Sequence, residues 1–522
     1  MSRILKSSGA MAIATLLSRL LGMVRVILYA RFLGTGTVAG AFTLAFAIPN
    51  LFRRLLGEGA LTAAFVPIFK EKEKKDGESA MWHAANVVIC GLLIVAATIV
   101  VIVVAGITIA LAFGTFEGEL HLVLGLVQVM FPYMLLVCLS AIFMGILNSR
   151  GKFFLPALGA TLLNLVMIPT VLFIAPRWGL ILEQQVFALA YGVLVAGVIQ
   201  ATFMIPALRK EGFRFKLLMP FRDPVITDVW KRMLPGMLGV AAFQINVLLT
   251  GIIAGAVDLE INAAFEFAVR LFELPQGLFG VSIATVMLPT LAGLAAENKT
   301  TKFKTTLNQG LSYLIFVNAL MGMLLIVLAE PMVRLLFERG RFDPESTLRV
   351  ASVLVWLGAA LVPYSMNSIL SRAFYAQGEY RDPMRITAFC LTLNLVFVMC
   401  LVWPGRPEIL AMANFTTTSL NTILLILALR KKIGRLGLLS MSAMLLQVLC
   451  AVVLAGAVCL FMHGWWEHKF GHANLWLKIG EVFVPAGLAG LSYVLFAGSL
   501  KMTVMRELVG LLRTKRASSK DS

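Results

Sequence analysis

The sequence predicts an all-α protein that crosses a membrane many times. Three observations predict this fold class: 59% of the 522 residues are hydrophobic, only 14% are charged, and residues 86–113 form an apolar run without a charge. Ordinary soluble domains contain about 25% charged residues, and about 20 apolar residues are enough for a spanning helix. The composition therefore excludes an ordinary soluble protein.

Apolar runs continue along the whole chain and predict about fourteen transmembrane helices. The first twelve form two sets of six, and the last two stand apart. We expect a N-terminal six-helix lobe (1–208), a cytoplasmic interfacial linker (209–226), a C-terminal six-helix lobe (227–432), and two additional helices with a basic cytoplasmic tail (433–522). The runs lie near residues 8–32, 38–68, 85–113, 121–147, 153–175, 185–207, 233–257, 262–295, 308–337, 347–376, 383–403, 408–429, 438–462 and 477–500.

Charged loops predict the orientation. Cytoplasmic loops carry the excess of Lys and Arg, so we expect the basic loops in the cytoplasm. Because the predicted number of spans is even, we expect both termini on this cytoplasmic side as well. The net charge of +18 is distributed over these loops, which indicates membrane topology and argues against nucleic acid as a partner. The basic loops are 70–76, 150–152, 209–216, 299–304 and 430–435, and the acidic or mixed alternate loops are 114–120, 258–260 and 338–343.

The predicted linker alternates basic residues with aromatic residues. Phe213, Phe215, Phe221 and Trp230 are the aromatic members. This pattern is typical of a segment on the cytoplasmic membrane surface, and an ordinary solvated linker is the alternative.

The two sets of six spans are related by an internal repeat. Because six is an even number, the halves have the same orientation and an axis along the membrane normal, as in many transporters with a substrate site between the halves near the midplane. Offsets of 222–231 residues relate Pro49 to Pro275, Pro67 to Pro289, "FPY" (131–133) to "VPY" (362–364), Gly151 and Pro156 to Gly378 and Pro383, and "LNLV" at 163–166 to the same motif at 393–396.

Ionisable residues lie inside the predicted spans, where an Arg costs roughly 2.5–3.5 kcal/mol at the bilayer centre. Helical spacing permits Arg54 to pair with Glu58 and Arg270 with Glu273. Five arginines against two glutamates leave a positive cavity, in which Arg25, Arg53 and Arg270 lack an obvious neutralising neighbour. The set comprises Arg19 and Arg25 in the first span, Arg53, Arg54 and Glu58 in the second, and Arg270 and Glu273 in the eighth.

A surplus of guanidinium groups in a shielded cavity requires an anion. The planar donor fork of Arg matches phosphate, so the residues predict a two-lobed transporter of a phosphorylated or otherwise anionic substrate. The alternatives for individual residues are snorkelling to the interface and structural ion pairs.

The assembled motifs resemble the MurJ/MviN family, lipid II flippases of the MOP exporter superfamily. The resemblance extends over essentially the whole chain and is most specific in "SRLLGMVR" (18–25) and in residues 49–69, 270–291 and 336–347. It implies two six-helix lobes with a MATE-like fold and a C-terminal helix pair that forms a groove for the lipid tail. The implied substrate is undecaprenyl-diphosphate-linked disaccharide-pentapeptide, flipped from the inner to the outer leaflet of the bacterial inner membrane for peptidoglycan synthesis.

The resemblance also implies roles for residues. Arg25, Arg53 and Arg270 match diphosphate-binding arginines, and the further substrate or cavity residues are Ser18, Arg19, Glu58 and Glu273. Arg54 is expected at a gate, with hinges at Pro49, Gly57, Gly59, Pro275 and Gly277; simple tolerance of Pro and Gly in membrane helices is the alternative. The sequence departs from the family at three positions where acidic residues are frequent in other members, namely Gly40, Val26 and Val269. The carboxylates of those members are therefore either not needed here or have their role moved to another residue.

We expect a transporter without a cofactor or metal, not an enzyme, and no Walker motif suggests ATP use. An inside-negative potential favours inward return of an empty positive cavity by about 2.3 kcal/mol per charge per 100 mV. A monovalent cation site on the seventh, eleventh and twelfth helices would be weak, because these helices offer no carboxylate but only Gln244, Asn246, Asn394 and Thr416 to Thr418. Implied partners are lipid II, membrane lipids and the cell-wall synthesis machinery, and the chain is expected to be a monomer.

Other functions remain open at this point. A MOP-superfamily flippase of another lipid-linked oligosaccharide would use similar residues, whereas a cationic-drug exporter would need carboxylates in the cavity. A polyprenyl-dependent membrane glycosyltransferase would carry a carboxylate-bearing motif on a long external loop, and the external loops here are short. His463, His468 and His472 in one of these loops could bind a metal, but interfacial anchoring by Trp465 and Trp466 is the favoured interpretation.

Overall fold

The computed structural model describes residues 2–57, 60–434, 438–502 and 504–505, with side chains described except at 2–15, 56–57, 60–64, 160, 235–240, 281 and 438–441. Within these ranges the regular structure is entirely helical. The α-helices are α1 (Ser2–Leu33), α2 (Thr37–Phe52), α3 (Ala60–Phe113), α4 (Gly118–Met130), α5 (Tyr133–Ser149), α6 (Phe154–Pro169), α7 (Leu182–Phe203), α8 (Ile205–Lys210), α9 (Pro224–Val257), α10 (Leu259–Pro275), α11 (Ser282–Ala296), α12 (Thr300–Val327), α13 (Ala329–Phe337), α14 (Pro344–Tyr375), α15 (Arg381–Leu401), α16 (Glu408–Ile433), α17 (Leu438–Phe470) and α18 (Leu475–Ser499).

The predicted all-α, polytopic fold class is confirmed. Eleven segments of the described chain are helical, long and apolar enough to cross a membrane. The other three predicted spans fall on α1, on α2 with the start of α3, and on α9, whose apolar section Ala241–Val257 is shorter. The order of helices therefore accommodates about fourteen spans.

Local breaks divide the helices at glycine and proline. α3 bends at Gly77, whose φ of 84° and ψ of 177° are not helical, so this kink separates the end of the second predicted span from the third. Pro132 separates α4 from α5, whereas its repeat counterpart Pro363 lies inside the continuous helix α14. The repeat is therefore not reproduced at this pair.

Three π-helical turns interrupt helices beside prolines. They are Arg53–Gly57 after α2, Thr170–Ile174 after α6, and Gln276–Val281 after α10. Pro49 lies inside α2 four residues before the first turn, and Pro275 directly precedes the third. Since proline removes a backbone donor, the hydrogen-bond ladder changes locally near both repeat-related prolines.

Two repeat-related glycines end their helices in the same way. Gly151 follows α5 with φ 76°, and Gly378 follows α14 with φ 73°. The next backbone N–H then donates to a carbonyl of the last helical turn, at 2.9 Å from Lys152 and 3.0 Å from Glu379. Glycine adopts this left-handed conformation without a Cβ clash, so matched sequence produces matched caps.

Two compact units make up the chain, and the first consists of Met1–Ala263 with Arg339–Phe342. Inside it, α1 packs against α6, α2 against α4, α3 against α5, and α9 against both α2 and α3. One apolar core surrounds Met130 and Tyr133, and a second surrounds Phe65. These helices carry four of the five predicted arginines. The predicted division into four regions stays a prediction.

The predicted linker is attached to α3 of this unit. The Asn86 side chain donates to the Arg214 carbonyl at 3.0 Å and accepts from the Lys216 backbone N–H at 2.8 Å. Phe213 is buried against Trp82, so it cannot face the membrane surface. The other predicted aromatic residues of this segment are exposed, namely Phe215, Phe221 and Trp230.

The second unit consists of Ala264–Glu338 and Asp343–Ser522. α14 packs against α12 and α16, and α17 packs against α18. The Tyr493 hydroxyl is buried in the core and donates to the Phe316 carbonyl at 2.8 Å. This unit carries the remaining predicted arginine, Arg270.

Candidate functional site

Arg25 lies on α1 among neutral neighbours. Its guanidinium carbon lies 5.6 Å from the centroid of the Tyr29 ring, and Tyr29 packs edge-on against Phe42 at 5.8 Å. The Arg25 Nε atom is buried without a hydrogen-bond partner. Among the residues that the structure describes, no carboxylate lies within ion-pair distance of Arg25, so its donors remain available to an anion.

Ser18 and Arg19 precede Arg25 on the same helix. The Ser18 carbonyl accepts a hydrogen bond from Asn164 Nδ2 at 3.2 Å, which ties α1 to α6, and Arg19 is exposed. Asn164 belongs to the first "LNLV" motif, so the repeat helps to position the helix of Arg25. The structure thus gives Ser18 a positioning contact through its backbone.

Arg53 and Arg54 both lie in the π-helical turn after α2 and are partly buried. Arg53 Nε donates to Asn50 Oδ1 at 2.7 Å, and Arg54 Nη1 donates to Gln244 Oε1 on α9 at 3.3 Å. Both of these acceptors are neutral amides. These two contacts orient the guanidinium groups.

Arg270 differs from the prediction, because carboxylates flank it on both sides. Arg270 Nη1 donates to Glu273 at 3.0 Å, as the spacing predicted, and Nη2 also pairs with Glu266. The expectation that Arg270 lacks a neutralising neighbour is therefore wrong. Glu266 lies one helical turn earlier, and the i,i+4 spacing in the sequence could have identified it. Glu266 thus places a carboxylate beside Arg270, three residues before Val269.

Two predicted residues of the second span, Glu58 and Gly59, lie outside the described residues. The predicted Arg54–Glu58 pair therefore stays a prediction. Of the proposed hinge positions, Pro49 is buried inside α2, and Gly57 ends the π-helical turn that contains Arg53. Pro275 directly precedes the corresponding turn after α10, and Gly277 lies inside it. The Gly277 carbonyl accepts a hydrogen bond from Ser282 Oγ at 3.4 Å.

Gly40 explains the absence of an acidic side chain at its position. A Cβ atom placed on Gly40 would lie 1.9 Å from the carbonyl oxygen and 2.9 Å from the Cβ of Leu259. No side chain fits at this distance, so the close approach of the two backbones requires glycine. Gly36 precedes Gly40 by one turn, which gives α2 the small-residue spacing of close helix contacts in membranes.

The polar residues considered for a monovalent cation are largely bonded within the protein. Asn394 Nδ2 on α15 donates to Thr417 Oγ1 on α16 at 3.3 Å, and both residues are buried. The Thr416 hydroxyl donates to the Met412 carbonyl at 2.9 Å, and Gln244 accepts from Arg54. The cation site remains an untested expectation.

Of the three histidines singled out in the sequence, His463 and His468 lie on α17 and His472 lies in the loop before α18. One ligand atom each from Glu467, His472 and Glu481 lie within 4.8 Å of one another, whereas His468 lies outside this group. The sequence prediction missed Glu467 and Glu481. Of the predicted anchors, Trp465 is exposed, but Trp466 Nε1 donates to the Leu477 carbonyl at 3.2 Å and so packs within the helix pair.

An apolar groove lies between α17 and α18. Its lining is almost entirely hydrocarbon, which suits an alkyl chain better than a polar ligand. The lining residues are Ala457, Val458, Phe461, Met462, Leu488, Leu491, Ser492 and Leu495.

Comparison with known protein families identifies one match over most of the chain. The family model described as "Lipid II flippase MurJ" matches residues 29–479. The lipid II flippase MurJ of Burkholderia cenocepacia is 32% identical, over 80% of this chain and 82% of the relative. The probable lipid II flippase MurJ of Bdellovibrio bacteriovorus is 30% identical, over 94% of this chain and 95% of the relative.

Solved structures support the same fold. A lipid II flippase MurJ in an inward closed conformation has a TM-score of 0.76 at 22% identity, and the alignment covers 96% of this chain and 99% of that one. An inward-facing multidrug resistance MATE family transporter of the MOP superfamily has a TM-score of 0.67 at 18% identity, over 80% of this chain and 95% of that one. The MATE-like fold implied by the sequence motifs is therefore confirmed.

Proposed function

Since the chain belongs to the lipid II flippase MurJ family, we propose that it moves lipid II from the inner to the outer leaflet and binds the diphosphate of this lipid on Arg25, Arg53 and Arg270. Membership of this family makes the chain a multi-pass transporter of the bacterial inner membrane and not an enzyme. The predicted location of both termini in the cytoplasm remains part of the proposal.

The observation that carries the proposal is the neutral surrounding of Arg25. Arg25 is partly buried, and a guanidinium removed from water without a carboxylate partner is unfavourable unless an anion compensates it. The Arg25 guanidinium carbon lies 5.6 Å from the centroid of the Tyr29 ring, and Nε has no acceptor among the described residues. A diphosphate offers several acceptor oxygens to such a donor fork, and charge-assisted hydrogen bonds of this kind contribute about 1.5–3 kcal/mol each.

The remaining arginines take graded roles in this proposal. Arg53 is oriented by Asn50 and contributes a second donor fork. Arg54 is the proposed gate residue, held by Gln244. Arg270 exchanges a carboxylate, Glu266 or Glu273, for a phosphate oxygen when the substrate is bound.

The remainder of the mechanism follows from the resemblance and from composition. We propose that the prenyl tail lies in the apolar groove between α17 and α18, that the π-helical turns near Pro49 and Pro275 permit bending, and that the two lobes alternate in access. We propose that the membrane potential drives transport and that no cofactor is needed. A weak monovalent cation site is a secondary part of the proposal. A monomeric state, membrane lipids and the cell-wall synthesis machinery as partners complete the proposal.

The test is outward movement of lipid II in proteoliposomes that contain the purified chain. An enzyme added outside cleaves exposed headgroups and reports the rate. We expect Arg25→Ala, Arg53→Ala and Arg270→Ala to reduce the rate at least tenfold, because each removes charge-assisted bonds. Arg25→Lys retains the charge but not the fork, so it should recover only part of the rate.

Arg177→Ala is the matched control. Arg177 is an exposed arginine of the same unit and donates to the Phe173 carbonyl at 2.6 Å, so its loss should leave the rate unchanged. A wild-type chain that exposes no lipid II, or three variants that match it, would contradict the proposal and favour another lipid-linked anion as substrate.

A further inference from the structure

The α17–α18 hairpin contains a group of metal-ligating side chains that the transport function does not use. Glu467 lies near the end of α17, His472 lies in the following loop, and Glu481 lies in the second turn of α18. One ligand atom from each lies within 4.8 Å of the other two. We infer that Glu467, His472 and Glu481 form a binding site for a divalent transition metal of the Zn²⁺ type.

Polar atoms of two of these side chains, Glu481 and His472, are buried without a hydrogen-bond partner among the described residues. Glu481 is fully buried, and its Oε2 atom has no hydrogen-bond partner among the described residues. The Nδ1 atoms of His463 and His472 are buried without a partner as well. Buried polar atoms are normally hydrogen-bonded, so three unsatisfied polar atoms on Glu481, His472 and the neighbouring His463 indicate an occupant.

The charge of the surroundings favours a divalent cation. Arg334 is buried, pairs with Glu481 at 2.7 Å and with Glu330, and lies 3.8 Å from Glu338. Lys478 pairs with Glu338 at 3.0 Å. With Glu467 included, four carboxylates face two cations, which leaves two negative charges when the histidines are neutral. A divalent ion would balance this excess.

The neighbouring charged groups do not replace the ion. His463 lies 3.8 Å from Glu481 and 3.9 Å from Glu467, beyond hydrogen-bond distance from either. The Lys469 ammonium lies over the rings of Trp465 and Phe470, at 5.1 and 5.6 Å from their centroids. His463 is therefore positioned as a fourth ligand or as a second neighbour of the metal.

The geometry fits zinc better than a harder ion. Three atoms within 4.8 Å of one another share a point that is at most about 2.8 Å from each, and zinc bonds of about 2.0–2.2 Å require only a small contraction. The half-exposed Glu467 side chain can supply that movement. Mixed imidazole and carboxylate donors are typical of Zn²⁺, whereas Mg²⁺ and Ca²⁺ take oxygen ligands.

The local backbone holds the ligands in place. A Cβ placed on Gly480 would lie 2.0 Å from Cζ2 of Trp466, so the indole lies directly on the backbone beside Glu481. The adjacent Asn474 side chain caps α18 by accepting from the Leu477 N–H at 2.9 Å. A metal here would join the end of α17 to the start of α18 and, through Arg334, to α13.

Zinc binding by the full-length protein in detergent tests this site. Protein is stripped with a chelator, titrated with Zn²⁺, and assayed for bound metal and for thermal unfolding. We expect one Zn²⁺ per chain, an increase in melting temperature on adding Zn²⁺, and no displacement by excess Mg²⁺. Glu467→Gln and His472→Gln should each lower the zinc affinity at least tenfold.

His468→Gln is the matched control, because His468 lies on the same helix outside the ligand group and should bind zinc as the wild type does. Metal-free Glu467→Gln should unfold at the wild-type temperature, since the Glu467 side chain is half-exposed, which separates loss of metal from loss of fold. Equal zinc binding by all four proteins, or none by the wild type, would overturn the inference and leave an adventitious ion only.

Discussion

Single residues set the closest contacts of the described structure, and Gly40 is the sharpest case. Its backbone meets the carbonyl of Leu259 at a distance that leaves no room for Cβ. The two segments must move apart to accept any side chain. Overpacking of this kind typically costs about 1–3 kcal/mol.

Gly40→Ala should therefore lower stability by about 1–3 kcal/mol, measured as a lower midpoint of thermal unfolding in detergent. Gly106→Ala is the matched control, because a Cβ on Gly106 meets nothing within 4 Å. The control should be neutral or slightly stabilising, since alanine favours helix over glycine by up to about 1 kcal/mol. An unchanged midpoint for Gly40→Ala would refute the close contact.

Asp343 provides a residue-scale prediction with a pH dependence. It precedes α14, and its carboxylate accepts from the Ser346 N–H at 2.8 Å. This hydrogen bond lowers the pKa of Asp343 below its ordinary value. Because the folded-state pKa is depressed, the stabilisation is present above the unfolded value of about 3.9 and is lost as the pH falls below it.

Asp343→Ala should cost about 1 kcal/mol at neutral pH through the lost cap. Asp343→Asn is the informative comparison, because asparagine caps equally well but does not titrate. We expect Asp343→Asn to match the wild type at pH 7 and to lose less stability than the wild type below about pH 4. Parallel acid-induced losses in both proteins would show that Asp343 does not contribute to the pH dependence.

Sequence reasoning at this scale succeeded for contacts along one helix and failed for contacts between segments. The Arg270–Glu273 pair follows from helical spacing. Glu266 follows from the same rule but was overlooked. Gly40 could not be explained in advance, because the carbonyl that excludes a side chain belongs to Leu259, more than two hundred residues away.

At the scale of elements, the predicted linker shows a contact that composition does not reveal. Alternating basic and aromatic residues predict a surface segment, yet the Asn86 side chain holds the backbone at Arg214 and Lys216. Phe213 fills the apolar core beside Trp82. Composition identifies exposed stretches on average, but it does not show that the side chain of Asn86 on α3 bonds to the backbone of this segment.

Asn86→Ala should release the linker, because it removes one donor and one acceptor together. Each hydrogen bond contributes about 0.5–1.5 kcal/mol net, so the two correspond to roughly fivefold or more in local opening. Limited trypsin digestion measures this as faster cleavage at the basic residues of 209–222. Thr98→Ala is the control on the same helix, since Thr98 bonds only to its own helix at the Ile94 carbonyl, and digestion at the wild-type rate in Asn86→Ala would rule out the attachment.

The proline-associated turns show how far element prediction extends. Pro49 and Pro275 predict a local departure from α-helix, and π-helical turns follow both. The type of turn and its exact residues were not predictable, because they depend on how neighbouring helices satisfy the freed carbonyls. The α17–α18 ligand group was missed for a similar reason, since Glu481 approaches His472 only after the hairpin forms.

At the scale of the whole molecule, composition, loop charge and the repeat predict the fold class. They do so because a lipid bilayer restricts which segments can cross it and which loops can carry positive charge. The charge distribution is less predictable. Five arginines against two glutamates predict a net positive cavity, yet Arg270 pairs with Glu266 and Glu273, while the acceptor found for Arg54 is a neutral amide. Among the described residues, Arg270 therefore has two carboxylate partners, whereas no carboxylate lies within ion-pair distance of Arg25.

This distribution makes a prediction about the membrane potential. If the empty transporter returns inward with its positive charges, each charge contributes up to about 2.3 kcal/mol per 100 mV, scaled by the fraction of the field it crosses. Arg25→Gln removes one moving charge and should make lipid II exposure less steeply dependent on an inside-negative potential. Glu266→Gln removes one compensating charge beside Arg270 and should make the dependence steeper.

The two variants are expected to change the potential dependence in opposite directions, and a general loss of activity would not produce that result. Proteoliposomes with imposed potentials of several magnitudes supply the slope of rate against potential, independently of the absolute rate. Arg177→Gln changes the net charge by the same amount as Arg25→Gln, but at an exposed arginine bonded to the Phe173 carbonyl, so its slope should match the wild type. Wild-type slopes for both Arg25→Gln and Glu266→Gln would mean that neither charge crosses the field during return, and the potential would then act on another step.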